Sequence, residues 1–261
     1  MTAVARLLEQ RSVGHVRLRV ERDGVAVMRE AGSAKCRMPR GSNEAILINT
    51  SGGLAGGDLI EVDAEAGEGA TLALTTQAAE RVYRTLGPAA EVRVNLRAER
   101  GAHIFWMPQE TIFFDNAALD RKLNVELEEG ATFLAVEPMV FGRREMGERV
   151  GRISVRDRWM IRRAGEIIHA EAFQMGSVMA ESPATLAGNS AAATVVFIAD
   201  EAERLLDAVR QMLGPQDGAS AWNGKLVARL VAKDGFSLRK VLIPVLSLCV
   251  GRWGLPKCWT F

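Results

Sequence analysis

The stretch NTSGGLAGGD (49–58) places four glycines within six residues and closes on a carboxylate. Glycine-rich loops can cradle phosphate, so this is the first candidate site. A P-loop requires a glycine, four residues, then Gly-Lys-Ser/Thr. Gly52 and Gly57 have that separation, but Asp58 stands where the lysine would be. A carboxylate there repels phosphate. Phosphate loops also lead into a helix, whose N-terminus attracts the anion. Here AILI (45–48) precedes the loop, and LIEVDAE (59–65) follows with Ile60, Val62 and Ala64 alternating with polar residues. The predicted context is strand, loop, strand. Its plainest reading is a turn whose glycines supply positive φ.

Other chemistry is sparse. His15, His103 and His169 fall far apart on predicted strands, and no zinc-type spacing of His and Cys occurs. Carboxylates are more suggestive. Asp58, Glu110, Asp115, Glu137, Glu148 and Glu171 lie at turn ends or on strands beside apolar residues. They read as structural ion pairs with the many arginines, as a glycosidase acid pair needing carboxyls about 5–10 Å apart, or as ligands for a divalent metal. Sequence alone favours none of the three. Segments 80–85, 141–151 and 156–163 mix Arg with Tyr, Phe, Trp and Met, types enriched at interface cores.

Composition narrows the classes. Apolar residues make up 48% of the 261-residue chain and charged residues 25%, with a net charge of +1. That is ordinary for a globular protein, and it offers no excess positive charge for nucleic acid. Cys36, Cys249 and Cys258 are scattered and form no C-x-x-C pair, which fits a reducing compartment. The most apolar run, VLIPVLSLCV (241–250), is too short to span a bilayer. The expectation is a single cytoplasmic domain over 1–261, with no membrane or nucleic-acid partner.

The elements that must position these residues are mostly strands. HVRLRVE (15–21) alternates with period two and turns at RDG (22–24). Three later segments share one plan: 61–77, 92–109 and 123–138. Each is an alternating strand, a charged turn, a Gly-Ala pair (69–70, 101–102, 130–131) and an apolar strand. A recurrence of about 30 residues suggests stacked units. A further hairpin is expected at 157–173, turning at Ala164-Gly165. The predicted fold is mainly β, with stacked hairpins forming a superhelix or solenoid-like layered structure. Two helices are expected in the C-terminal third: 200–213, capped by Asp200 with Glu203 at the capping-box position, and 236–250, kinked or broken at Pro244.

Taken in order, INTSGGLAGGD (48–58), TTQAAERVYR (75–84), PQETIFFDNA (108–117), FGRREMGE (141–148), RDRWMIRRAGEIIHAE (156–171) and LPKCWTF (255–261) resemble the UreD (UreH) family of urease accessory proteins. The resemblance implies a chaperone without catalytic activity. It would bind apo-urease and a complex of UreF with the GTPase UreG, and would help insert nickel into urease. It implies a β superhelix and an internal passage for transient nickel, with no tightly bound cofactor. Asp58 and Glu171 are the acids it places on that route, with Glu110, Glu137 and Glu148 behind them. Gly52, Gly53, Gly56 and Gly57 would keep the loop from blocking a passage or a neighbour. Tyr83, Arg84, Arg143, Met146 and Trp159 are the candidate partner contacts. Spaced carboxylates hold Ni²⁺ weakly enough to release it, whereas a His/Cys cage would retain it. The alternative is a carbohydrate-active β protein using a carboxylate pair.

Overall fold

The computed structural model describes residues 11–142, 150–176 and 186–260. In chain order the first strands are β1 (Val13–Glu21), β2 (Gly24–Gly32), β3 (Ala34–Arg37), β4 (Glu44–Asn49), β5 (Leu59–Ala66) and β6 (Thr71–Thr76). There follow β7 (Glu80–Val82), β8 (Ala90–Ala98), β9 (His103–Trp106), β10 (Thr111–Phe113), β11 (Ala117–Leu127) and β12 (Thr132–Phe141). The last are β13 (Ile153–Arg163), β14 (Glu166–Met175), β15 (Ala191–Ile198), β16 (Gly218–Trp222) and β17 (Lys225–Ala232).

These strands form two sheets, ordered β14-β13-β11-β8-β5-β1-β2 and β16-β17-β15-β12-β9-β6-β4-β3. The 30-residue recurrence is real, and the fold is the expected solenoid of about four stacked coils. Its unit differs from a hairpin in one respect. The two strands of each repeat lie in different sheets, and each pairs in parallel with its counterpart in the next repeat. Glycines at φ +62, +63 and +69 (Gly69, Gly101, Gly130) turn the chain from the first sheet to the second. The first strand of each unit faces water on one side and therefore alternates. The second is covered on both sides and reads as an apolar run. Hairpins do occur at β1–β2 and at β13–β14, the latter turning at Ala164-Gly165 as expected.

Parallel register stacks like on like. Val16, Val62, Val94, Leu123 and Trp159 form one inward ladder, and Leu18, Ala64, Leu96, Val125 and Ile161 the next. All ten are buried, and fully burying a Val or Leu contributes roughly 1.5–3 kcal/mol. Trp159 was expected at an interface. At 2% exposure it belongs to this core, because its odd-numbered position on β13 puts it in the inward phase.

The C-terminal third closes the second sheet. The helix expected at 200–213 begins as a 3-10 turn, Ala202–Leu205, and becomes α-helical only in α1 (Leu206–Met212). Asp200 does not cap it. The turn has no side-chain cap, and Glu203 instead accepts a 2.8 Å bond from the Gly224 amide. The second helix, α2 (Gly235–Val250), is capped by Asp234, which accepts from the Ser237 amide at 2.7 Å. It runs unbroken through Pro244 and buries Leu238, Leu242, Val245 and Leu246. No helix of the described residues is long and apolar enough to cross a membrane.

Candidate functional site

The glycine loop joins β4 to β5 and leans on the short strand β7. Leu54 donates to Arg81 O at 2.7 Å, and Tyr83 donates to Leu54 O at 2.9 Å. Gly52, Gly53 and Gly57 take φ of +76°, +145° and +84°, so the turn reading holds for those three. A Cβ on Gly53 would collide with the Tyr83 ring, and one on Gly56 with Thr85 Oγ1. Tyr83 packs edge-on against Phe114 at 5.1 Å and donates its hydroxyl to Gly52 O at 3.0 Å. It is half-buried structural support for the loop, while Arg84 next to it is exposed.

Asp58 is 5% exposed. One carboxylate oxygen accepts from the Ser12 amide and the other from the Ala55 amide, both at 2.8 Å. It ties its own loop to the chain entering β1. Glu171 is partly buried and pairs with Arg229 at 2.7 Å, with His169 Nε2 at 3.8 Å. Glu110 pairs with Arg239 at 2.9 Å. Asp115 accepts from the Gly151 and Arg152 amides, which hold its carboxyl below the usual range. Glu148, Arg143 and Met146 lie outside the described residues.

A cavity of about 240 Å³ lies between the two sheets, behind the glycine loop. Gly52, Gln77, Ala78 and Arg81 are its exposed rim, and Leu54, Val62 and Leu119 are among its apolar walls. Its inner end is polar: Trp106, Gln109, Thr111, Arg121 and Glu137. Of the predicted acids, Glu137 lines this cavity; Asp58, Glu110 and Glu171 do not.

Arg121 organises the inner end. Its guanidinium meets Glu137 at 2.5 Å and Asp157 at 2.7 Å, with all three side chains at most 5% exposed. Trp106 Nε1 donates to Glu137 at 2.8 Å, Trp159 Nε1 to Asp157 at 3.1 Å, and Arg121 to Thr111 Oγ1 at 3.2 Å. Two carboxylates share one guanidinium, so the ionised cluster carries a net negative charge. Burial pushes the Glu137 carboxyl up to about 7; Arg121 opposes that shift and Asp157 reinforces it. Arg121 Nε and Gln109 Nε2 have no hydrogen-bond partner among the described residues, and Glu137 Oε2 has only its ion contact. Such unmet buried groups are places for water or a hydrated solute.

Glu80, at the start of β7, is a second acid in the cavity lining. Asn49 donates to it at 3.1 Å, and burial raises its pKa. Sequence reasoning missed Glu80, Arg121 and Asp157. For the last two a signal existed. On β11 the inward phase is Leu119, Arg121, Leu123, Val125, and on β13 it is Val155, Asp157, Trp159, Ile161. A charge that keeps the phase of a buried ladder marks an internal ion pair. The arrangement can attract a hydrated cation past the rim without caging it, since Arg121 already occupies the carboxylate. Among the described residues no cluster of three or more His, Cys, Asp or Glu could hold a metal.

Comparison with known proteins gives the family of the chain. The family model described as "UreD urease accessory protein" matches residues 12–260. The chain is 46% identical over 249 residues to urease accessory protein UreD 1 of Brucella abortus, covering 92% of this chain and 89% of the relative. It is 46% identical over 267 residues to urease accessory protein UreD of Mesorhizobium japonicum, covering 97% and 95%. The chain belongs to the UreD family of urease accessory proteins.

Proposed function

We propose that this protein is a non-enzymatic chaperone of urease maturation, and that the cavity between its sheets is a segment of the path taken by nickel. It acts with UreF and the GTPase UreG on apo-urease in the cytoplasm, and nickel is cargo rather than a resident cofactor. The observation that carries the reading is the buried Glu137–Arg121–Asp157 cluster, two carboxyl groups on one guanidinium, at the inner end of a cavity that opens at the glycine loop.

The physical logic is one of transfer. Carboxylate and water ligands bind Ni²⁺ less tightly than thiolate and imidazole sets. A carboxylate shared with a guanidinium is weaker again as a ligand, yet its field still draws a cation inward. Glu80 near the rim and Glu137 inside supply two such points, and the rim glycines leave the entrance unobstructed. Asp58 then acts one step removed, by fixing the loop that frames the entrance. The glycosidase alternative needs two free carboxyls on either side of a sugar. Glu137 and Asp157 are instead bridged by Arg121 and buried.

The test is Glu137→Gln, made in a cell that co-expresses urease and its other accessory proteins. Nickel per urease active site should fall at least several-fold, while the variant still co-purifies with UreF and apo-urease. Unchanged nickel content would remove the cavity from the path.

A further inference from the structure

The cavity wall between β9 and β10 is held from behind by the C-terminal end of the chain. Pro108, Gln109 and Thr111 line the cavity. On the other side of the same segment, Arg239 of α2 donates to Gln109 Oε1 and to Glu110 Oε1, both at 2.9 Å. Trp259, fully buried, donates its indole N–H to Met107 O at 2.9 Å. Arg239 lies 5.0 Å from the Trp259 ring centre and reaches Cys258 O at 3.5 Å. The tail is pinned once more where the Lys257 amide donates to Glu44 at 3.1 Å, at the start of β4, another cavity wall. Gly251 and Gly254, at φ +51° and +71°, join this tail to α2.

We propose that residues 251–260 form a strap that holds the cavity wall closed, with Arg239 as its latch and positioning residue. The inference rests on the cavity being the nickel path and adds how its width is set. One side chain joins three parts: the wall through Gln109 and Glu110, the helix that carries it, and the tail through Trp259. Release of the tail removes the ring over Arg239 and the indole bond to Met107 together. The segment 107–109 then keeps its bonds to β6, Met107 to Leu74 O and Gln109 to Thr76 Oγ1, while Glu110 and Thr111 stay anchored through the Glu80 amide, Arg121 and the pairing of β10 with β7 and β12. Two glycines at the junction let the strap swing without unwinding α2. A partner gripping the tail would thereby widen the passage.

The native thiols provide the readout. Cys258 sits in the strap and is partly exposed, whereas Cys36 and Cys249 are buried. Arg239→Gln removes the latch charge without emptying a core site, and Trp259→Ala removes the hook. In the purified full chain, both variants should raise the labelling rate of Cys258 at least ten-fold and leave Cys36 and Cys249 protected. Amide exchange across 107–109 should accelerate in parallel, with β8 and β11 unchanged. Faster Cys258 labelling without faster exchange at 107–109 would overturn the coupling. Unchanged rates in Arg239→Gln, with the fold intact, would overturn the latch. An opened wall in Arg239→Gln and Trp259→Ala, together with normal nickel loading by Glu137→Gln, would leave the strap standing and sink the path instead.

Discussion

Two arginine-centred clusters in this molecule have the same chemistry and opposite settings. On the outer face of the first sheet, Arg19 meets Glu21, Glu65 and Glu99 at 2.6, 2.5 and 3.0 Å, and Arg97 joins Glu65 and Glu128. Parallel register makes this a charge ladder across the coils, with Arg19, Glu65, Arg97, Glu126 and Arg162 at successive paired positions. Inside, Arg121 meets Glu137 and Asp157 at similar distances. Arg19 is 32% exposed and Arg121 5%. Contact number favours the outer cluster and burial favours the inner one. Burial decides, because bulk water competes for every outer contact and far less for the inner ones.

The largest expected effect therefore comes from Arg121→Met. It strands two carboxylates in the core and should cost about 3–5 kcal/mol, the usual penalty for breaking a buried ion pair from one side. Urea unfolding measures it. A loss below about 1 kcal/mol would mean that the cluster is wetter than its burial implies.

Next comes the pH dependence set by Glu137. Its folded pKa is raised from 4.5 to about 7, chiefly by burial. Between those values the folded chain keeps the proton and the unfolded chain has lost it. Stability contributed by this group is therefore complete at low pH, declines through that window, and is level above it. The decline should be on the order of 3 kcal/mol, since each pKa unit corresponds to about 1.4 kcal/mol. Glu137→Gln should flatten that part of the curve. A Gln variant with the wild-type slope between pH 5 and 7 would assign the slope to another group.

The same contrast explains what was legible in the sequence. The outer ladder and the hydrophobic ladders obey the simple period of a strand, so HVRLRVE and the three Gly-Ala units by themselves imply a stacked β fold. What periodicity could not show was pairing partner. Alternation within 59–66 and an apolar run within 71–76 look like a hairpin, yet parallel pairing places their partners about 30 residues away. The site was less legible for a related reason. Asp58 drew attention because it ends a conspicuous loop, and the structure commits both its oxygens to backbone amides. Glu171 and Glu110 are each paired with an arginine more than 50 residues distant in sequence. Glu137 was visible as a charge inside LAVEPMV. Its partners were hidden because Arg121 and Asp157 come from neighbouring coils, brought together by the register of β11 on β13 with Arg121 opposite Asp157.

The smallest effect is the one that makes the comparison sharp. Arg19→Met is the same chemical change as Arg121→Met and breaks more ion pairs, three against two. Its cost should be under about 1 kcal/mol, because the three glutamates it leaves behind are partly exposed and regain water. The methionine also retains the apolar contact of the arginine stem. Salt should separate the two sites further. The ladder sits within reach of screening ions, so even that small cost should shrink between 0.05 and 0.5 M salt, values about which the Debye length falls from roughly 14 to 4 Å. The buried cluster should keep its full penalty over the same range. Equal costs for the two substitutions would mean that the number of ion contacts, and not their separation from water, governs charge energetics in this fold.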